Sequence, residues 1–108
     1  MTTHDLSAHA DAICSKVFGV SIEDIRGRQR TPIICDARHT AWQLLRTSKL
    51  TYKEIGDEYG ANHSTVMSAM NRVVDLAWSD VTFKLRFDLC NLRYQEFKNA
   101  HIDHHPAH

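Results

Sequence analysis

The chain has 108 residues, with 13 basic and 13 acidic side chains giving a formal net charge of zero, and 43% of its residues are apolar. That length folds as one ordinary domain burying roughly two thirds of the surface its unfolded form exposes, so neither metal nor disulfide is needed to hold it. A membrane span needs roughly 18 consecutive apolar residues and a secretion signal needs a basic start followed by an apolar run; both are excluded, and the cytoplasm is the expected compartment.

Apolar residues recur at helical spacing and no alternating β-branched run is bounded by turns, so the expected fold is all-α with five to six helices. Leu6, Ala10, Ile13, Cys14, Val17 and Phe18 make one stripe that stops at Gly19. Ser21 is placed to cap a short helix with Glu23 and Asp24 in its first turn, where the helix dipole favours anions. The segment from Gly27 to Thr31, with Arg28 and Arg30, has too few apolar residues for a core and is expected to be an exposed basic loop. Thr31-Pro32, a cap followed by proline at the first helical position, opens a helix burying Ile34, Ala37, Ala41, Leu44 and Leu45. Arg38, Trp42 and Arg46 follow at i, i+4 and i+8 and are expected on a different, exposed face.

Thr51 and Glu54 fit a capping box that opens the next helix. Gly56, without a Cβ, lets two helices cross closely, and Gly60 supplies the positive φ that ends the first of them. Asn62 is placed to cap the second near the backbone N–H of Thr65, leaving His63, Ser64, Met67, Ser68 and Asn71 along an outward face, with the helix running to about Trp78. Ile55, Tyr59, Ala61, Val66 and Ala69 form the seam. This is the grammar of a helix-turn-helix, spanning about 51–78.

Ser79-Asp80 restarts a last helix with Val81, Leu85, Leu89 and Leu92 on one side and Phe83, Phe87, Cys90, Tyr94 and Phe97 on a neighbouring one. So broad an apolar surface either closes the domain or leaves part for a homodimer contact or another protein partner. The expected domain is 1–100, followed by a disordered, histidine-rich tail over 101–108. Cys14, Cys35 and Cys90, odd in number and without C-x-x-C spacing, suggest small apolar residues in a reducing compartment.

Charge is unevenly distributed. Arg26, Arg28, Arg30, Arg38, Arg46, Lys49 and Lys53 lie within one segment against the single acid Asp36, a local basic patch suited to a polyanion.

The stretch Glu54-Ile55-Gly56-Asp57-Glu58-Tyr59-Gly60, then His63-Ser64-Thr65-Val66, together with Ala37-Arg38-His39-Thr40-Ala41, resembles the C-terminal DNA-binding domain of the bacterial replication initiator DnaA, a Trp-repressor-like helix-turn-helix. The resemblance covers roughly residues 8 to 97. It implies double-stranded DNA as partner, with Arg30, and Arg28 beside it, entering the minor groove. By the same resemblance Arg38 and Arg46 hold backbone phosphates and Asn62, His63, Ser64 and Thr65 face base edges in the major groove; Lys49 is expected to add a phosphate contact, and Met67 and Ser68 to extend the base-reading face. Asn62 stands where the family has aspartate and Ala61 where it has arginine, and the turn and the Arg46–Leu50 connection are each one residue shorter. An altered base preference is therefore expected, since asparagine pairs with adenine where aspartate accepts from cytosine.

The four glycines offer no G-x-x-x-x-G-K-[ST] phosphate loop, so no ATPase and no nucleotide cofactor is expected. No nucleophile, base and orienting group are suggested by spacing, and Asp57 and Glu58 are expected as exposed helix surface, so catalysis is not expected. His101, His104, His105 and His108 lack an acid or cysteine to complete a shell, and Pro106 interrupts a helix there, so no metal is expected. The expected role is a transcriptional regulator, phage-derived or part of a longer protein, at the nucleoid. The alternatives are a replication accessory or competitor at initiator-box-like sites, and a protein-interaction module using the aromatic last helix.

Overall fold

A computed structural model describes residues 1 to 102. Six helices follow in order: α1 Thr3–Phe18, α2 Ile22–Arg26, α3 Pro32–Thr47, α4 Tyr52–Tyr59, α5 His63–Ser79 and α6 Val81–Ile102. No strand occurs among the described residues, as expected for an all-α chain. Helix α3 is the centre and touches each of the other five. Its Ala37, Ala41, Leu44 and Leu45 are fully buried and meet Ala10 and Cys14 of α1, Ile25 of α2, Ile55 of α4, Val66 of α5 and Tyr94 of α6 in one core. Each large side chain sealed there contributes roughly 1.5–3 kcal/mol.

Local chemistry fixes most boundaries. Thr51 accepts from the Glu54 N–H while Glu54 reaches back to the Thr51 N–H, the expected capping box. Thr2 and Asp5 form a second such box that starts α1, upstream of the first apolar residue by which the sequence announces that helix. Ser21 caps α2 through the Asp24 N–H. Thr31 differs from expectation: Pro32 does open α3, but the Thr31 side chain makes no capping bond. Gly19 and Gly60 both end their helices in the left-handed conformation, at φ 72 and 70°.

Two expected surfaces are reversed. The face carrying Arg38 and Trp42 is buried, not exposed, with Trp42 only 3% accessible and Arg38 8%. On α6 the aromatic side, Phe83, Cys90 and Tyr94, is buried against the domain, whereas Val81, Leu85, Leu89 and Leu92 point outward. Helix α6 also continues to Ile102, into the segment expected to be a disordered tail. His104, His105 and His108 lie outside the described residues. Cys14 and Cys90 are buried free thiols and Cys35 is half-buried.

Candidate nucleic-acid interface

The close crossing of α4 and α5 follows from Gly56. A Cβ added there would lie 2.3 Å from the Ala61 carbonyl oxygen, far inside contact distance, so only glycine permits this approach. The Gly56 carbonyl then accepts from the Ala61 N–H at 2.8 Å, locking the turn. Asn62 caps α5 by accepting from the Ser64 N–H at 2.8 Å, one residue earlier than expected. That bond uses one lone pair of the amide oxygen and leaves the second lone pair and the amide N–H donors uncommitted. His63, Ser64, Thr65, Met67, Ser68 and Asn71 are all exposed on the outer side of α5.

Opposite this helix stands the basic loop, whose ends are held from two directions. At its start, Arg26 donates to the Asp11 carboxylate at 2.6 Å and to Glu58 at 3.0 Å, with a further bond to Ser7 Oγ. Tyr59 donates its hydroxyl to Asp11, and the Arg26 guanidinium lies 4.3 Å from the Tyr59 ring centroid. From beneath, Arg38 donates to the carbonyls of Ile25, Asp24 and Gln29 at 2.8, 2.9 and 3.1 Å. Two of those carbonyls lie in the last turn of α2, where a helix leaves acceptors unsatisfied and a cation is favoured. The resemblance implied a phosphate role for Arg38; its donors are instead turned inward onto the backbone that presents Arg28 and Arg30.

Arg28 and Arg30 are exposed, and an Arg28 Nη lies 3.9 Å from the position a Cβ would take on Gly60. Loop and α5 thus face each other across a groove of about 720 Å³, walled by Arg28 and Arg30 on one side and by Asn62, Thr65 and Ser68 on the other. Arg72, one turn beyond Ser68, also lines it and escaped the sequence reading, although its spacing from Thr65 and Ser68 continues their helical face. The floor is His39 and Trp42, whose Nδ1 and Nε1 are buried with no hydrogen-bond partner among the described residues. Burial, then Arg38 and Arg72, hold the His39 imidazole neutral, its pKa lowered to about 4.

Arg46 and Lys49 are not brought into this groove. They sit at and just beyond the far end of α3, a helix roughly 24 Å long that begins beside the basic loop. Arg46 is half-buried, donates to the Leu50 carbonyl at 2.6 Å, and lies over the Tyr52 ring. Lys49 is exposed on a backbone with φ 69°. The basic patch is thinner than the sequence suggested, because Arg26 is paired with Asp11 and Glu58 and Lys53 with Asp57. Glu58 is correspondingly not free helix surface; it accepts from Ser7, His4 and Arg26, bonds that outweigh burial and lower its pKa. Among the described residues no group of three or more His, Cys, Asp or Glu side chains is placed to hold a metal, and no helix is long and apolar enough to cross a membrane.

Comparison with known proteins matches residues 10–73 to the family described as the bacterial dnaA protein helix-turn-helix. A chromosomal replication initiator protein DnaA from Mesoplasma florum is 35% identical over 74 residues, covering 67% of this chain and 17% of that protein. Another of the same name from Oenococcus oeni is 31% identical over 81 residues, 73% of this chain and 18% of its own length. A third, from Thermoanaerobacter sp., is 34% identical over 64 residues, 58% of this chain and 14% of that protein. The chain therefore spans less than a fifth of the length of these relatives.

Proposed function

The chain belongs to the bacterial DnaA helix-turn-helix family, and from that premise we propose that it binds duplex DNA by sequence, as one domain over residues 1 to about 100. The observation that carries this reading is the facing pair of surfaces, arginine loop and free face of α5, on either side of one open groove. A DNA strand between a minor and a major groove fits such a cleft: Arg30 and Arg28 enter the narrow groove, where negative potential is strongest, and α5 enters the wide one. Asn62, His63, Ser64, Thr65, Met67 and Ser68 face base edges, with the exposed Met67 suited to a thymine methyl. Arg72 holds a phosphate at the groove, Lys49 holds another from beyond the far end of α3 with Arg46 beside it, and Arg38 positions the loop.

With about two phosphates neutralised, by Arg72 and Lys49, log affinity falls against log salt with a slope near −1.8. No metal or cofactor is needed for this chemistry. Occupancy of a site, as in transcriptional regulation in the cytoplasm, is the role that needs only these 108 residues, among which no G-x-x-x-x-G-K-[ST] occurs. Its competitor is replication control at initiator-box-like sites, favoured by the names of the matched relatives. Selection from random duplexes tests the proposal: enrichment of one motif supports it, an initiator-box motif favours the replication role, and no retention at low salt overturns DNA binding.

A further inference from the structure

The outer side of α6 is uncovered. Val81, Leu85, Leu89 and Leu92 recur at i, i+4, i+8 and i+11, one face of a helix, and are 77, 67, 39 and 57% accessible. Trp78, at the corner just before α6, is 88% accessible. Nothing in the DNA-binding reading uses these residues. The stripe is continuous along about three turns, unlike the single scattered apolar residues that ordinary surfaces carry.

We propose that this face pairs with a second copy of the chain, the two α6 helices antiparallel about a dyad near Phe87; the proposal goes beyond DNA binding. Two observations select this occupant. The five side chains leave uncovered on the order of 700 Å², close to the roughly 800 Å² each partner gives to a standard-size interface. The flanking charges are self-complementary: Lys84 and Asp88, paired within the chain at 3.0 Å and each about half exposed, lie on one edge of the stripe. In the antiparallel arrangement Leu85 comes opposite the second copy's Leu89, and Lys84 comes within one turn of the second copy's Asp88, so the ions exchange partners across the dyad. Arg86 is drawn off the seam toward the Phe18 ring, 5.8 Å from its centroid. The paired copies present two α5 helices related by a two-fold axis, the symmetry of an inverted-repeat site.

Sedimentation velocity of the whole chain without DNA, from about 1 to 100 µM, tests this directly. The expected result is a monomer–dimer equilibrium that does not extend to larger species, with at least ~10-fold weaker association for Leu85→Glu, unchanged helical circular dichroism in that variant, and unchanged affinity for a single half-site. Lys84→Glu and Asp88→Lys each weaken self-association, and mixing the two variant chains restores it as a heterodimer, a rescue the pair within one chain cannot give. A single-chain mass throughout the range, open-ended growth beyond two copies, or a Leu85→Glu dimer as tight as the parent overturns the proposal. Sedimentation is run without DNA and half-site affinity is measured separately, so loss of the dimer with half-site binding intact is distinguishable from failure of DNA binding itself.

Discussion

Arg38 Nε lies 2.8 Å from the carbonyl oxygen of Ile25, thirteen residues away at the end of α2, and donates to it inside the protein. With the Asp24 and Gln29 carbonyls also accepting, one guanidinium fixes both the end of α2 and the first half of the basic loop. Arg38→Met should cost about 3 kcal/mol of stability, because buried carbonyls lose their donor. It should also weaken DNA binding at every salt concentration while leaving the salt slope unchanged, since no phosphate contact is removed. Urea titration and binding at several ionic strengths measure both; a slope reduced by about one would instead mark Arg38 as a phosphate ligand.

Arg30→Ala makes the contrasting prediction. The side chain is exposed, so stability should stay within about 0.5 kcal/mol. Binding should weaken, with the largest loss at sites flanked by A·T-rich steps whose minor groove is narrow. Competition between duplexes differing only in that flank is the measurement.

At the turn, Gly56→Ala should destabilise by about 3 kcal/mol, since the new methyl group meets the Ala61 carbonyl oxygen and the helices must separate. Gel-shift affinity should fall further than an equally destabilising core substitution such as Val73→Ala, because the separation moves α5 relative to the loop.

Asn62→Asp restores the carboxylate that the resemblance implies at this position. The cap on Ser64 survives and the charge at the helix N-terminus should add about 0.5 kcal/mol. The selected motif should change at one base pair toward cytosine, which donates where adenine both donates and accepts.

His39 gives a pH dependence of known sign. Its folded pKa of about 4 lies below the ordinary value of 6.5, so between these values the unfolded chain binds more protons. Stability should therefore be fully present above pH 6.5 and decline as pH falls toward 4, by on the order of 2 to 3 kcal/mol. Denaturant midpoints at pH 7.5, 6 and 5 should show the decline in the parent, and a flatter profile over that window in His39→Gln.

What the sequence disclosed was the chemistry that acts over a few residues. Thr51 with Glu54, Ser21 before two acids, and Gly60 after a helical run each announce a boundary because the interacting groups lie within one turn. The outward face of α5 was legible for the same reason. The fate of Arg38 was not, since an i, i+4, i+8 run with two arginines resembles a solvated face, and its carbonyl partners arrive only when α2 folds over α3. Nor was Glu58, whose partners Ser7 and Arg26 lie 51 and 32 residues away. The two sides of α6 were both visible as apolar, but only the packing of α1, α3 and α5 against it decides which one is covered.

Shared between Asp11 of α1 and Glu58 of α4, Arg26 makes the first helix a strut beneath the groove's walls, although no residue of α1 lines the groove. A chain trimmed to residues 12–102 would retain every side chain assigned to bases or phosphates and yet lose the carboxylate that aims the loop, so the proposed minimal binding unit is longer than its contact list.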